Sequence, residues 1–200
     1  MVTPAGPAAG GPGEGTPDAY FDTMWASGDD PWSHRTRWYE ARKYRLTAAA
    51  LPEERCHRLF EPGCGVGELT ALLAERADEV VAMERSPRGV DVTRRRGLPG
   101  VDVRLGRIPD DWPDGRFDVV VLSELLYYLP PDGVRAALAR AGASLVPGGH
   151  VLAVHYRQDV PEHVLAGDDV RALTDAVPGW EPRLRMTDPS FALDLYRVAG

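Results

Sequence analysis

Leu59–Thr70 reads LFEPGCGVGELT. Two apolar residues and an acid run into glycines at 63, 65 and 67, and a helical pattern starts at once behind them. An apolar strand delivering into a glycine turn that opens a helix is the strand-to-helix join of a parallel α/β sheet. Three missing side chains in five positions mean that the backbone turns sharply there or that something approaches it closely.

The same order repeats outward from this join. CHRLFEP (56–62) and EVVAME (79–84) read as strands, separated by GELTALLAERA, a helix with Leu69, Leu72 and Leu73 on one face. Ser86 and Pro87 suit the cap and first position of a further helix. VDVRLG is a third strand, and FDVVVLSE a fourth whose unbroken run Val119–Leu122 suits burial on both faces. A helix over Asp132–Leu145, a VPGG stop, a fifth strand HVLAVHYR, a helix from Asp168, and two strands joined at Pro189-Ser190 complete the series. The expected fold is a doubly wound, mostly parallel seven-stranded α/β sheet closed by an antiparallel hairpin. Ahead of it, a helix over about Ser33–Ala50 is stopped by Pro52.

Composition bounds the rest. With 200 residues, 44% of them hydrophobic, the chain suits one domain with a sizeable core. Residues 1–17, nearly all Gly, Ala, Pro and Thr, read as a disordered tail, leaving a single domain over 18–200. No basic start with an apolar run marks a signal peptide, and no stretch reaches the roughly 18 apolar residues of a membrane span, so a cytoplasmic protein is expected. Net charge is −7, from 30 acids against 23 bases, which disfavours a phosphate backbone as partner. The Arg94–Arg96 cluster reads as a solvated helix end. Cys56 and Cys64 lie in different contexts, and neither a disulfide framework nor a metal site is expected.

What the glycine loop holds follows from one substitution. The dinucleotide pattern G-x-G-x-x-G needs a glycine where this chain has Glu68, and a carboxylate in the first helical turn repels a pyrophosphate. An NAD-dependent oxidoreductase fails there. Glu84 ends the second strand, where a carboxylate accepts hydrogen bonds from both hydroxyls of a ribose. A nucleoside without phosphates fits, and S-adenosylmethionine matches.

Here the chain resembles the class I S-adenosylmethionine-dependent methyltransferases over nearly all of Ser33–Val198. The likeness rests on LFEPGCGVGELT, VVAMERS, FDVVVLSELLYYL, LVPGGHVLAV and the closing hairpin. DPWSHRTRWYEARKY, SELLYYL and VHYR are similar to the NodS group, named for nodulation enzymes that N-methylate a free amine. The resemblance implies cofactor contacts from Glu61, Gly63, Cys64, Gly65, Gly67, Glu84, Arg85, Ile108 and Ser123, with Glu61 near the cationic amino group. It also implies that Trp38, Tyr39 and Arg42 lie on a helix folded over the cofactor, Arg42 reaching the methionine carboxylate; the other reading makes Trp32, Trp38 and Tyr39 core anchors and pairs Arg42 with Glu40 or another surface acid. One departure stands out: Arg107 occupies the place where many such enzymes put an adenine-binding aspartate, leaving backbone at Ile108 or the side chain of Asp110 for that base.

Methyl transfer is an in-line displacement that needs no metal and no covalent enzyme intermediate. An aliphatic amine must first lose a proton. The fourth and fifth strand ends supply the candidates: Glu124 to pair with an ammonium, His155 to take its proton, and Tyr128 or its neighbour Tyr127 to orient the acceptor or shield a cation with a ring. The reading is an N-methyltransferase of a small molecule, with S-adenosylhomocysteine as product. O-methylation and a non-catalytic S-adenosylmethionine-binding protein remain as alternatives.

Overall fold

The computed structural model describes residues 13–199. Most of the expected tail lies outside that range. Of the part inside it, Thr16 is buried, with its N–H donating to the Tyr128 carbonyl at 2.9 Å and its hydroxyl to that of Glu162 at 2.6 Å.

Among the described residues seven strands form one sheet: β1 (Cys56–Pro62), β2 (Ala77–Glu84), β3 (Val101–Leu105), β4 (Phe117–Ser123), β5 (Leu145–Tyr156), β6 (Trp180–Thr187) and β7 (Phe191–Val198). Their spatial order is β3-β2-β1-β4-β5-β7-β6. The first five are parallel, while β7 runs antiparallel to both β5 and β6. Strand order reverses between β1 and β4, and the carboxyl ends beside such a reversal are where doubly wound sheets bind ligands in their crevice.

The apolar runs are unbroken because both faces are covered. Phe60, Val120, Leu122 and Val151 face α5 (Pro131–Ser144) and α6 (Gly167–Asp175). Leu59, Val119, Val121 and Leu152 pack with Leu69 and Leu73 of α3 (Glu68–Ala74), Val90 of α4 (Pro87–Arg94) and Tyr44 of α2 (Trp38–Ala49). Two further aromatic clusters, around Tyr20, Phe21 and Met24 and around Trp25 with Val66 and Val92, dock α1 (Asp18–Ala26).

Two boundaries differ from expectation. The helix expected from Ser33 begins only at Trp38: the Asp30 carboxylate accepts from the N–H groups of His34 and Arg35, and Ser33 takes a left-handed φ of 60°. VPGG does not stop before β5 but lies within it, accommodated by a register shift against β4.

Candidate active site

The glycine loop crosses the crevice mouth between β1 and α3. Gly63, Gly65 and Gly67 all have positive φ, at 73°, 55° and 75°, a conformation costly for any residue with a Cβ. A Cβ on Gly67 would stand 2.8 Å from Thr93 Cγ2, and one on Gly63 3.2 Å from Leu125 Cδ1. The turn itself and the packing of α4 therefore account for much of the glycine pattern that sequence alone assigned to a ligand. The loop is tied to its neighbours: Gly63 and Cys64 N–H donate to the Met83 carbonyl, and Thr93 Oγ1 donates to that of Gly65.

Three carboxylates end the strands that border the crevice. Glu84 accepts from Gly65 N–H at 3.1 Å and from Ser86 N–H at 3.0 Å, one bond on each oxygen. Burial raises its pKa, and those two N–H groups oppose the rise. Glu61 is buried with Oε2 unpartnered, and burial pushes it up to about 8. Beside it the Cys64 thiol is also pushed well up by burial, with Glu61 and Glu84 adding to the effect. Ser123 Oγ is a further buried atom with no partner.

Glu124 sits immediately past β4 at a φ of 56°, rare for a residue with a side chain, its N–H donating to the Val154 carbonyl. Its Oε2 is 2.7 Å from Lys43 Nζ, which also lies 2.9 Å from Glu40 Oε2. Glu124 Oε1 and the Tyr39 hydroxyl are buried without partners among the described residues. Burial raises the Glu124 pKa, with Lys43 pulling it back. For Lys43 burial works toward deprotonation, but Glu124 and Glu40 outweigh it and hold the ammonium above the usual lysine value. The aromatic rings of Tyr39 and Tyr44 flank this ammonium at 4.9 and 5.4 Å.

Above the loop lies the segment from α1 to α2. Trp25 packs on Val66 and Val92, a Cβ on Gly65 would contact the His34 ring, and Trp32 stacks on His34. Glu68, the acid that argued against a pyrophosphate, is bridged by Arg35 and Arg96 and so ties this segment to α3.

The other residues singled out in the sequence make contacts of their own within the chain. Arg42 pairs with Asp188 in the turn between β6 and β7, at 2.7 Å. Trp38 is 72% exposed beside Arg45. Arg85 bonds Asp18 and covers the Phe21 ring, and Arg107 also reaches Asp18. Ile108 is buried in the apolar core. Tyr128 packs against Tyr20 and Phe21 of α1, and Tyr127 stacks on His163. Asp168 pairs with Arg157, and Asp169 accepts from Ala166 N–H at the start of α6.

His155 departs most from expectation. It is fully buried on the α6 face of β5, with its Cβ facing Gly167 and neither ring nitrogen partnered. Burial, reinforced by Arg171, lowers its pKa to about 4. Its surroundings are those of a core residue. The substitution His155→Leu is therefore expected to leave catalytic turnover within about twofold and to hold or raise the melting temperature, since it removes an unsatisfied buried polar group; a loss of turnover above tenfold in the folded variant would return His155 to the mechanism.

The sequence reading passed over Lys43 and offered Glu40 to Arg42, whereas Glu40 pairs with Lys43 and Arg42 with Asp188. A signal was present: of the 23 basic residues, Lys43 is the one lysine, three positions after a glutamate on a helix.

The methyltransferase domain family model matches residues 60–149, from β1 into β5. A solved structure from Pseudomonas syringae, named provisionally as a methyltransferase, is 39% identical, with a TM-score of 0.72, covering 80% of this chain and 99% of that one. The N-methyltransferase NodS from Bradyrhizobium japonicum, solved with S-adenosyl-L-homocysteine, shares the fold at 20% identity and a TM-score of 0.80, covering 90% of this chain and 98% of that one. Nodulation protein S of Rhizobium tropici is 27% identical over 128 residues, which are 62% of this chain and 54% of that protein. O-methyltransferases match as well. The chain spans about half the length, or less, of the curated relatives it matches.

Proposed function

This chain belongs to the class I S-adenosylmethionine-dependent methyltransferase family, and from that premise we propose that it transfers a methyl group to the nitrogen of a small amine. The observation that carries the choice of nitrogen is the charge imbalance beside the crevice: two carboxylates, Glu40 and Glu124, share one ammonium, and Glu124 Oε1 is buried with no partner. A protonated amine supplies the missing cation, whereas a carboxylate-bearing acceptor would meet repulsion.

The residues present fit the cofactor. Glu84 has one hydrogen bond on each oxygen, leaving a lone pair on each for a ribose hydroxyl. Glu61 offers a buried, unpartnered oxygen to an amino group, and Ser123 a free hydroxyl. Bound there, S-adenosylmethionine supplies an electrophilic methyl on a sulfonium sulfur. The chain's own part is to orient, to exclude water and to manage one proton. Trp25 and Trp32 cover the loop, and Glu124 aligns the acceptor ammonium and takes its proton before attack. Arg42, paired with Asp188, reaches a methionine carboxylate only if that ion pair opens.

Glu61 gives the binding step a pH signature. Its folded pKa, about 8, lies above the ordinary carboxylate value, so at pH 7 it is mostly protonated and must ionise to meet a cationic amino group. Cofactor binding is expected to release close to one proton at pH 7 and to tighten as pH rises toward 8, read by calorimetry in buffers of different ionisation enthalpy. In the free protein the raised pKa contributes stability that is complete below about pH 4.5 and lost as pH rises through 8. Glu61→Gln should abolish the proton release and raise the melting temperature at pH 8.

The acceptor class is tested by incubating the protein with S-adenosylmethionine and panels of primary amines, phenols and carboxylic acids, and reading the gain of one methyl by mass. Methylation within the amine panel alone supports the reading. Methylation confined to phenols or acids overturns it in favour of O-methylation.

A further inference from the structure

A chain that meets its need for positive charge almost wholly with arginine keeps one lysine, Lys43, and it is 1% exposed. Burying an ammonium costs several kcal/mol unless it is paired. Here it is paired twice, through Glu124 and Glu40. Its partner Glu124 is itself held in a strained left-handed conformation at the end of β4, and strain of that kind persists where the surroundings enforce it. One Glu124 oxygen is engaged by the lysine and the other, together with the nearby Tyr39 hydroxyl, is buried and unmet.

We propose that Lys43 is a positioning residue of the acceptor subsite, gripping Glu124 through Oε2 so that Oε1 stays ionised and open to the ammonium of the incoming amine. The inference rests on the amine reading above. The step it serves is one proton transfer: an N–H bond of the acceptor ammonium breaks, an O–H bond forms at Glu124 Oε1, and the electron pair stays on nitrogen for attack on the methyl. The groups facing Glu124 are Tyr39, Glu40, Lys43 and Tyr44 from α2, and Tyr127 and Tyr128 from the turn after β4. Lys43 is the cation among them, so its removal leaves the carboxylate beside Glu40 alone and raises its pKa.

Because the chain has one lysine, protein labelled at lysine 13Cε gives one side-chain resonance, and in glutamate-13Cδ protein the Glu124 signal is the one lost in Glu124→Gln. In Lys43→Met the Glu124 titration midpoint is expected to rise by at least one pH unit, with affinity for S-adenosylhomocysteine within about threefold of wild type. Lys43→Arg should restore most of the midpoint. With S-adenosylhomocysteine saturating, adding n-butylamine should move the Lys43 13Cε resonance in wild type and not in Glu124→Gln.

An unchanged Glu124 midpoint in folded Lys43→Met overturns the role of Lys43, whether or not amines are methylated. A raised midpoint with no response to n-butylamine overturns the amine subsite instead. Should Lys43→Met fail to fold, the wild-type lysine titration decides: an ammonium persisting through pH 9 supports the proposal, and a midpoint below about 8 refutes it.

Discussion

Glu84→Ala should bind S-adenosylmethionine at least about 100-fold more weakly than wild type while remaining folded. Two hydrogen bonds from ribose hydroxyls to a buried carboxylate contribute about 1.5–3 kcal/mol each, which is tenfold to a hundredfold apiece. The variant also removes the acceptor for Gly65 and Ser86 N–H, so the glycine loop loses its tie to the end of β2. Each N–H left buried and unpaired costs about 1–3 kcal/mol, and the melting temperature should fall accordingly. Glu84→Gln separates the two effects, because its amide oxygen still accepts one loop N–H while the charge is gone. Calorimetric titration of both variants, with melting temperatures alongside, reads the result: unchanged affinity in either would remove Glu84 from the cofactor site.

Glu124→Gln should lose about 100- to 10,000-fold in kcat, the usual contribution of a positioned general base, with cofactor affinity nearly unchanged. The amide has almost the shape of the carboxylate and still offers an oxygen to Lys43, but it cannot take a proton. Loss confined to kcat places the residue at proton transfer. A rise in KM with kcat intact would instead assign Glu124 to simple binding of the acceptor.

Much of this arrangement is legible from local pattern. Apolar runs such as Val119–Leu122 announce strands covered on both sides, and the turn residues between them fix the alternation that makes the sheet parallel. Glu61, Glu84 and Glu124 reach the carboxyl edge because each closes or follows a strand, and that position is visible in one dimension. What was not legible depends on contacts far apart in sequence or on the course of a loop. Arg42 pairs with an aspartate 146 positions away, and no local rule anticipates that partner. Ser33 reads as the start of a helix until the Asp30 carboxylate takes up the N–H groups that follow it.

The case of His155 is one of facing. Successive strand residues point to opposite sides, and the choice between the crevice and α6 for a residue near a strand end depends on which neighbours α6 brings. Lys43 was overlooked for the converse reason. A basic residue on a helix between Arg42 and Arg45 reads as part of a solvated face, and only the packing of α2 over the end of β4 turns it inward.

Every residue role described above depends on cofactor binding at the carboxyl ends of β1 and β4. The decisive measurement is calorimetric titration of the protein with S-adenosylmethionine and, in parallel, with NAD. Saturable one-to-one binding of S-adenosylmethionine, with none for NAD, is the predicted result; no binding of S-adenosylmethionine by the folded protein would contradict it and leave the glycine loop as a turn that serves α4 alone.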